Sequence, residues 1–166
     1  MSYPFRLPCL LPLMMVFALQ MLATSAGAGE ADGVEALLAR DEPPFGVVFE
    51  IVERDEDALR WAIPLIKAQV TRLRARFPGI GLAVVSHGRE EFALMKERRA
   101  ENRAVHETVQ SLVAADVPVH VCGTLASWSG KGEADFPDYV DVAPAGPTAI
   151  SNYEAMGYVV ITVERP

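Results

Sequence analysis

The sequence predicts an α/β fold, a three-layer α/β/α sandwich built on a mainly parallel five-stranded sheet. Two observations lead to this prediction. Short runs rich in β-branched and aromatic residues alternate along the chain with longer segments of helical composition, which is the order that builds a parallel sheet. Several of these runs are apolar throughout, as strands tend to be when helices cover both faces of a sheet.

The first elements follow a polar lead-in that contains a short predicted helix over Val34–Leu38. The first strand is predicted over Phe45–Glu53, and a helix follows it with Asp55 as the N-cap residue. Pro64 is expected to kink this helix or to mark its true start. Apolar residues recur on one face of the helix at spacings of three and four: Leu59, Ile63, Ile66, Val70, Leu73 and Phe77.

The second half of the chain repeats the alternation. A second strand is predicted over Ile80–Gly88, and the helical segment after it is expected to break in its charged middle, Lys96–Arg103. The third strand is Val117–Gly123, which a glycine-interrupted loop follows. A fourth strand, "VDVAP", and a fifth, "YVVITV", flank a helix that opens near Pro147.

Residues 1–28 have the layout of a secretory signal peptide. Arg6 lies in a short n-region, an apolar core runs over residues 10–22, and Ala26 and Ala28 have the spacing of an A-x-A cleavage signal. The core is short for a span of about 20 residues, so cleavage is favoured over a membrane anchor. We therefore predict a periplasmic or secreted protein in which residues 29–166 form a single domain.

Charge and hydropathy restrict the class of partner. The formal net charge is −7, and no dense basic stretch is present, which argues against nucleic acid as a partner. After residue 28 no segment is long and apolar enough to cross a membrane, so no membrane association is expected once the signal is removed.

Cleavage would remove Cys9 and leave Cys122 as the single cysteine. One cysteine cannot close an intramolecular disulfide, so Cys122 is expected to pair between molecules, to be reactive, or to be an inert buried residue. A metal site needs three or four convergent ligands, which one cysteine and three scattered histidines do not supply. Neither a metal nor a cofactor is expected.

Two predicted strands end in a polar residue followed by glycine, in "VVSHG" and "VHVCGT". Chemistry gathers beyond the carboxyl ends of parallel strands, and glycine permits close backbone approach there. Thr124 is expected to cap the next turn and so place Cys122 beside free amides that favour its thiolate, in a site partly open to solvent. The candidate catalytic residue is Cys122, and His87, Gly88, Gly123 and Thr124 are its candidate supports.

The other candidates have structural interpretations. His120 shares a face with Cys122 by the period of two and is expected to be a hydrogen-bonded core residue. His106 is expected on a helix surface. Trp128 is expected to be a core or interface aromatic rather than a cover for the cysteine loop.

These motifs together resemble those of the DsrE/DsrF-like family of sulfur-relay proteins. The resemblance runs from about Gly46 to Val163 and rests on "VVSHG", "VPVHVCGT", "VDVAPAGP" and "NYEAMGYVVI", in that order. It implies a parallel α/β sandwich, assembly as a trimer or hexamer, and a third-strand cysteine that accepts sulfane sulfur as a persulfide and passes it on. Cys122 matches that cysteine.

Two features depart from the family pattern. Relay members are typically cytoplasmic, whereas this chain has an export signal, and "HGREEF" stands where a second glycine often follows His-Gly. The expected function is a periplasmic sulfurtransferase-like carrier whose sulfur donor and acceptor thiol are unknown. The alternative is a non-catalytic exported oligomeric binding or redox-sensing module, with Cys122 structural or forming mixed disulfides.

Overall fold

Five short strands form one sheet in which every neighbouring pair is parallel. The structure is a computed structural model that describes Met1 and residues 30–165, so the predicted signal peptide lies outside the described residues apart from Met1. The order across the sheet is β4-β3-β2-β1-β5. The strands are β1 (Gly46–Ile51), β2 (Gly81–Ser86), β3 (Val119–Cys122), β4 (Asp141–Ala143) and β5 (Tyr158–Thr162). The predicted five-stranded α/β fold is confirmed.

Helices cover both faces of the sheet and complete the three layers. The α-helices are α1 (Glu30–Leu38), α2 (Leu59–Arg76), α3 (Arg103–Val113), α4 (Gly123–Trp128) and α5 (Gly146–Ala155). Three short 3₁₀ turns lie between them, at Arg89–Leu94, Lys96–Arg98 and Glu133–Asp135. No helix within residues 30–165 has the length and apolar character that a membrane span requires.

The two faces of the sheet have very different cores. Phe49 and its neighbours on one face pack against α1, α2 and α3 in a large cluster that holds most of the buried side chains. On the other face, a small cluster joins Ile150 of α5 to Val48, Ala83 and Val85 of the sheet.

The strand order creates a topological switch point between β3 and β4. The connection from β3 to β4 stays on the large-core side, since Ala126, Phe136 and Val140 belong to that cluster. The connection from β4 is α5, which lies on the opposite face and leads to β5 at the far edge. Adjacent strands whose connections leave on opposite faces form the crevice in which open α/β sheets bind ligands. Cys122, the last residue of β3, lies at this point.

The start of α2 differs from the prediction. The helix begins at Leu59, and Asp55 instead accepts the backbone N–H of Asp57 at 3.0 Å in a turn that precedes it. Asp55 is therefore the acceptor of an Asx turn rather than the N-cap. Pro64 lies inside the helix and does not mark its start.

The predicted break in the segment after β2 is confirmed, but the part before the break is not α-helical. Two 3₁₀ turns occupy residues 89–98, and α3 begins only at Arg103. The first of these turns buries the side chains of Glu90 and Glu91, which then bond to backbone amides at the ends of the strands. These inward carboxyl groups are incompatible with the solvated first turn of a surface helix.

Candidate functional site

The thiol of Cys122 lies where two helices begin. Its Sγ accepts the backbone N–H of Leu125 in α4 at 3.4 Å and the backbone N–H of Gly146, the first residue of α5, at 3.3 Å. The first amides of a helix have no partner within the helix and carry partial positive charge. Both amides are thus positioned to donate to an anionic sulfur, which is the nucleophilic form.

Two expectations about this thiol are wrong. Cys122 itself is the N-cap of α4, whereas Thr124 donates both its hydroxyl and its N–H to the carbonyl of Pro144, at 2.8 and 3.1 Å. Thr124 therefore holds α4 against the loop that supplies the Gly146 amide. The thiol is also not partly open to solvent, because Cys122 is only 5% exposed beneath the two helix starts.

Glycines permit this close packing around the thiol. A Cβ at Gly146 would collide with the Cβ and ring of His87, and a Cβ at Gly123 would lie 3.0 Å from the carbonyl oxygen of Ala143. A Cβ at Gly88 would collide with Glu90 and the backbone of Glu53. The predicted role of glycine at these strand ends, close backbone approach, agrees with this geometry.

His87 lies beside the site, just beyond the end of the neighbouring strand β2. The pairing of Ser86 with Val121 places His87 beside Cys122. The ring Nε2 lies 2.9 Å from Oε1 of Glu50. The side chain packs against Gly146, whose amide donates to the sulfur, so His87 lies behind one of the two donors to Cys122.

Glu91 is a residue of the site that the sequence reasoning did not single out. Its side chain is fully buried, and its Oε2 accepts the backbone N–H of Cys122 at 2.8 Å. Its Oε1 has no hydrogen-bond partner among the residues that the structure describes. Burial raises the pKa of Glu91 to about 8, the bond from the Cys122 amide opposes this shift, and the charge of Glu90 adds to it. Glu91 is therefore mainly neutral at pH 7.

Glu90 is equally buried but fully hydrogen-bonded. Its Oε1 accepts the Ser86 hydroxyl at 2.8 Å and the Gly88 N–H at 3.0 Å, and its Oε2 accepts the Glu53 N–H at 2.7 Å. Burial raises the pKa of this carboxyl, and these hydrogen bonds oppose the shift. The three donors lie at or just beyond the ends of β1 and β2, so Glu90 joins the two strand ends beside the site.

The remaining histidines have structural partners. The ring Nε2 of His120 lies 2.8 Å from the Tyr153 hydroxyl, in agreement with the hydrogen-bonded position expected for this residue. Burial lowers the pKa of His120, and the negative charge of Asp141 opposes this shift. The surface position expected for His106 is wrong, since it is 1% exposed and contacts the Tyr139 hydroxyl and the carbonyl of Ala93. His106 lies next to Val105 on the buried face of α3, where both of its ring nitrogens have hydrogen-bond partners.

Other candidate features lie away from the thiol. Trp128 is 79% exposed at the end of α4, so it is not a core residue. Two surface cavities beside α3, of about 510 and 310 Å³, do not include Cys122. No group of three or more potential metal ligands comes together in the described part of the chain.

The fold and the site define a class: a three-layer α/β protein with a wholly parallel sheet and, within residues 30–165, one buried thiol at the switch point. No family model matches the chain, and the comparison with curated proteins found no match. Among solved structures it is similar to MTH1491, a protein of unknown function from Methanobacterium thermoautotrophicum, with a TM-score of 0.58 and 24% identity. The match covers 72% of this chain and 99% of that one. This likeness supports the fold alone.

Proposed function

We propose that this protein accepts sulfane sulfur as a persulfide on Cys122 and transfers it to an acceptor thiol. The observation that carries the proposal is the pair of backbone amides, from Leu125 in α4 and from Gly146 at the start of α5, that donate to one sulfur at the switch point. The same amides can stabilise the negative charge of a thiolate before transfer. The motif resemblance to the DsrE/DsrF-like family supports the same role.

The chemistry needs one thiol and a donor of sulfane sulfur. With thiosulfate, the Cys122 thiolate attacks the outer sulfur, a new S–S bond forms, and sulfite leaves with the electron pair of the broken bond. An acceptor thiolate then attacks the terminal sulfur of the persulfide and regenerates the Cys122 thiolate. A second cysteine nearby would resolve the persulfide as a disulfide, so a carrier benefits from a lone thiol.

The burial of Cys122 supports a second candidate. At 5% exposure, the thiol also fits the environment of an inert structural cysteine in a non-catalytic binding or redox-sensing module. The two candidates differ in access, because a carrier must open the α4 or Gly146 side of the site to a donor and an acceptor. A structural cysteine stays closed until the chain unfolds.

One experiment separates the two candidates. The protein is incubated with thiosulfate or a small persulfide, and its intact mass is measured before and after reduction. A carrier gains about 32 Da, reversibly, and Cys122→Ser gains nothing. His87→Ala should change the rate of this gain without abolishing it, because His87 reaches the sulfur only through the Gly146 loop.

Native labelling with a small thiol reagent is the complementary test. Labelling in the folded protein supports a carrier or a redox sensor, and the mass of the adduct after thiosulfate treatment distinguishes a persulfide from an oxygen adduct. If Cys122 reacts only after denaturation, sulfur transfer is excluded and the structural cysteine is correct.

The proposal includes export and self-assembly. The signal-peptide pattern of residues 1–28 supports a periplasmic or secreted site of action. The motif resemblance supports a homo-oligomer, a trimer or hexamer, and Trp128 is a candidate contact because it is large, apolar and 79% exposed. The sulfur donor and the acceptor are proposed only by chemical class.

A further inference from the structure

The carboxyl group of Glu91 has an unusual environment for a structural residue. One oxygen accepts the backbone N–H of Cys122 at 2.8 Å, and the other has no partner among the described residues although the side chain is 0% exposed. Native proteins leave few buried polar atoms without a partner, and each such atom is destabilising. Because both oxygens belong to one carboxyl group, the unpaired oxygen also lies at the Cys122 backbone.

The carboxyl group and the thiol are close enough for each to respond to the charge of the other. Oε2 of Glu91 lies 2.8 Å from the Cys122 nitrogen. A cysteine sulfur lies about 3–4 Å from its own backbone nitrogen, depending on its rotamer, so the sulfur and Oε2 of Glu91 are at most about 7 Å apart. At that separation and an effective dielectric constant of about 20, a negative charge on the sulfur raises the pH at which the Glu91 carboxyl ionises by about 2 units.

We propose that Glu91 and Cys122 form an acid–thiol pair that holds one negative charge at a time, so that the proton on Glu91 permits an anionic sulfur at Cys122. Glu91 is a positioning residue in this pair, since it acts through its charge and through the Cys122 amide. This inference rests on the proposed function and deepens it, because the persulfide to be carried is also an anion. Ionised Glu91 would repel both the persulfide and an anionic donor.

The groups around Glu91 are consistent with a neutral carboxyl. Burial is the main cause that raises the pKa of Glu91 to about 8, and Glu90, on the same 3₁₀ turn, contributes a second acidic charge. Within the described chain, no lysine or arginine is among the groups that shift this pKa.

The test is a titration of the Glu91 carboxyl by NMR in the absence of any sulfur donor. The full-length chain carries Cys9→Ser, so that Cys122 is its single thiol. Cys122→Ser keeps the size of the side chain but removes the group that can become an anion. Without that anion, the Glu91 carboxyl should ionise at a pH about 2 units lower than in the parent.

The matched control is Glu107→Gln, on the exposed side of α3, which should leave the titration unchanged. Identical carboxyl titrations in the parent and in Cys122→Ser would overturn the acid–thiol pair. If Cys122→Ser does not fold, Cys122→Ala, which also lacks the ionisable thiol, takes its place in the same comparison.

This experiment separates the pair from sulfur transfer. A carboxyl titration that Cys122→Ser shifts, without any mass gain of the parent from thiosulfate, would retain the pair and exclude the carrier. A mass gain of about 32 Da with an unshifted titration would retain the carrier and exclude the pair.

Discussion

Replacing Glu91 by glutamine should make the stability of the fold less sensitive to pH. The unfolded carboxyl ionises near its ordinary pKa of 4.5, whereas burial raises the pKa of the folded carboxyl to about 8. Since the folded pKa is the higher one, the contribution of the neutral carboxyl to stability is fully present below pH 4.5 and is lost as the pH rises through about 8.

The size of the loss follows from the two pKa values. The interval from 4.5 to about 8 corresponds to about 5 kcal/mol of unfolding free energy at 1.36 kcal/mol per pH unit. Between about pH 5 and about pH 8.5, the parent protein should therefore lose about 4 kcal/mol that Glu91→Gln keeps. Burial also raises the pKa of Glu90, so a smaller slope of the same sign should persist in the variant.

Urea unfolding followed by circular dichroism at a series of pH values measures this difference. The parent, Glu91→Gln and the exposed control Glu107→Gln are compared under identical conditions, and the midpoint of each transition is converted to a free energy. Parallel profiles for the parent and Glu91→Gln would show that the Glu91 carboxyl is ionised in the folded protein. The assigned burial effect would then be refuted.

Four further predictions concern other parts of the molecule. Cys122→Ala should destabilise the fold by roughly 1–3 kcal/mol more than Cys122→Ser in urea unfolding, because alanine leaves two amides without an acceptor; equal losses would argue against the N–H···S bonds. Gly146→Ala should destabilise by roughly 1–3 kcal/mol through its collision with His87, whereas Gly132→Ala, whose Cβ meets open space, should be nearly neutral. Light scattering at micromolar concentration should find a trimer or larger assembly, and a monomer would count against assembly. N-terminal sequencing of the exported protein should begin near Gly29, and retention of Met1 in a membrane fraction would contradict cleavage.

The order of strands and helices could be predicted because it depends on local patterns. The apolar runs that became β1 and β2 are visible without any tertiary information, and parallel strands necessarily bring their carboxyl ends together. For that reason, the sequence could place His87 and Cys122 near one another. The sequence does not show on which face of the sheet each connection lies. The all-parallel pairing and the switch point between β3 and β4 therefore became clear only from the structure.

The rest of the site depends on where side chains point, which cannot be read from a single sequence. Glu90 and Glu91 have the composition of a solvated first helical turn, and only the 3₁₀ geometry of residues 89–94 points both side chains inward. His106 follows a core valine, and its burial depends on partners 13 and 33 residues away in the chain. Thr124 had the residue type of a cap, but its hydroxyl donates to the carbonyl of Pro144, and Cys122 occupies the N-cap position of α4.

The position of β5 has a consequence for how the chain folds. β1 is the first strand to be made, yet one of its two neighbours is β5, and the residue pairs that join them are about 112 positions apart. Contacts of such long range form slowly, and until they form the β1 edge is an open template for another chain. Folding of this domain is therefore completed only after the segment to Thr162 has been synthesised. The nascent chain is most prone to aggregation before β5 pairs with β1.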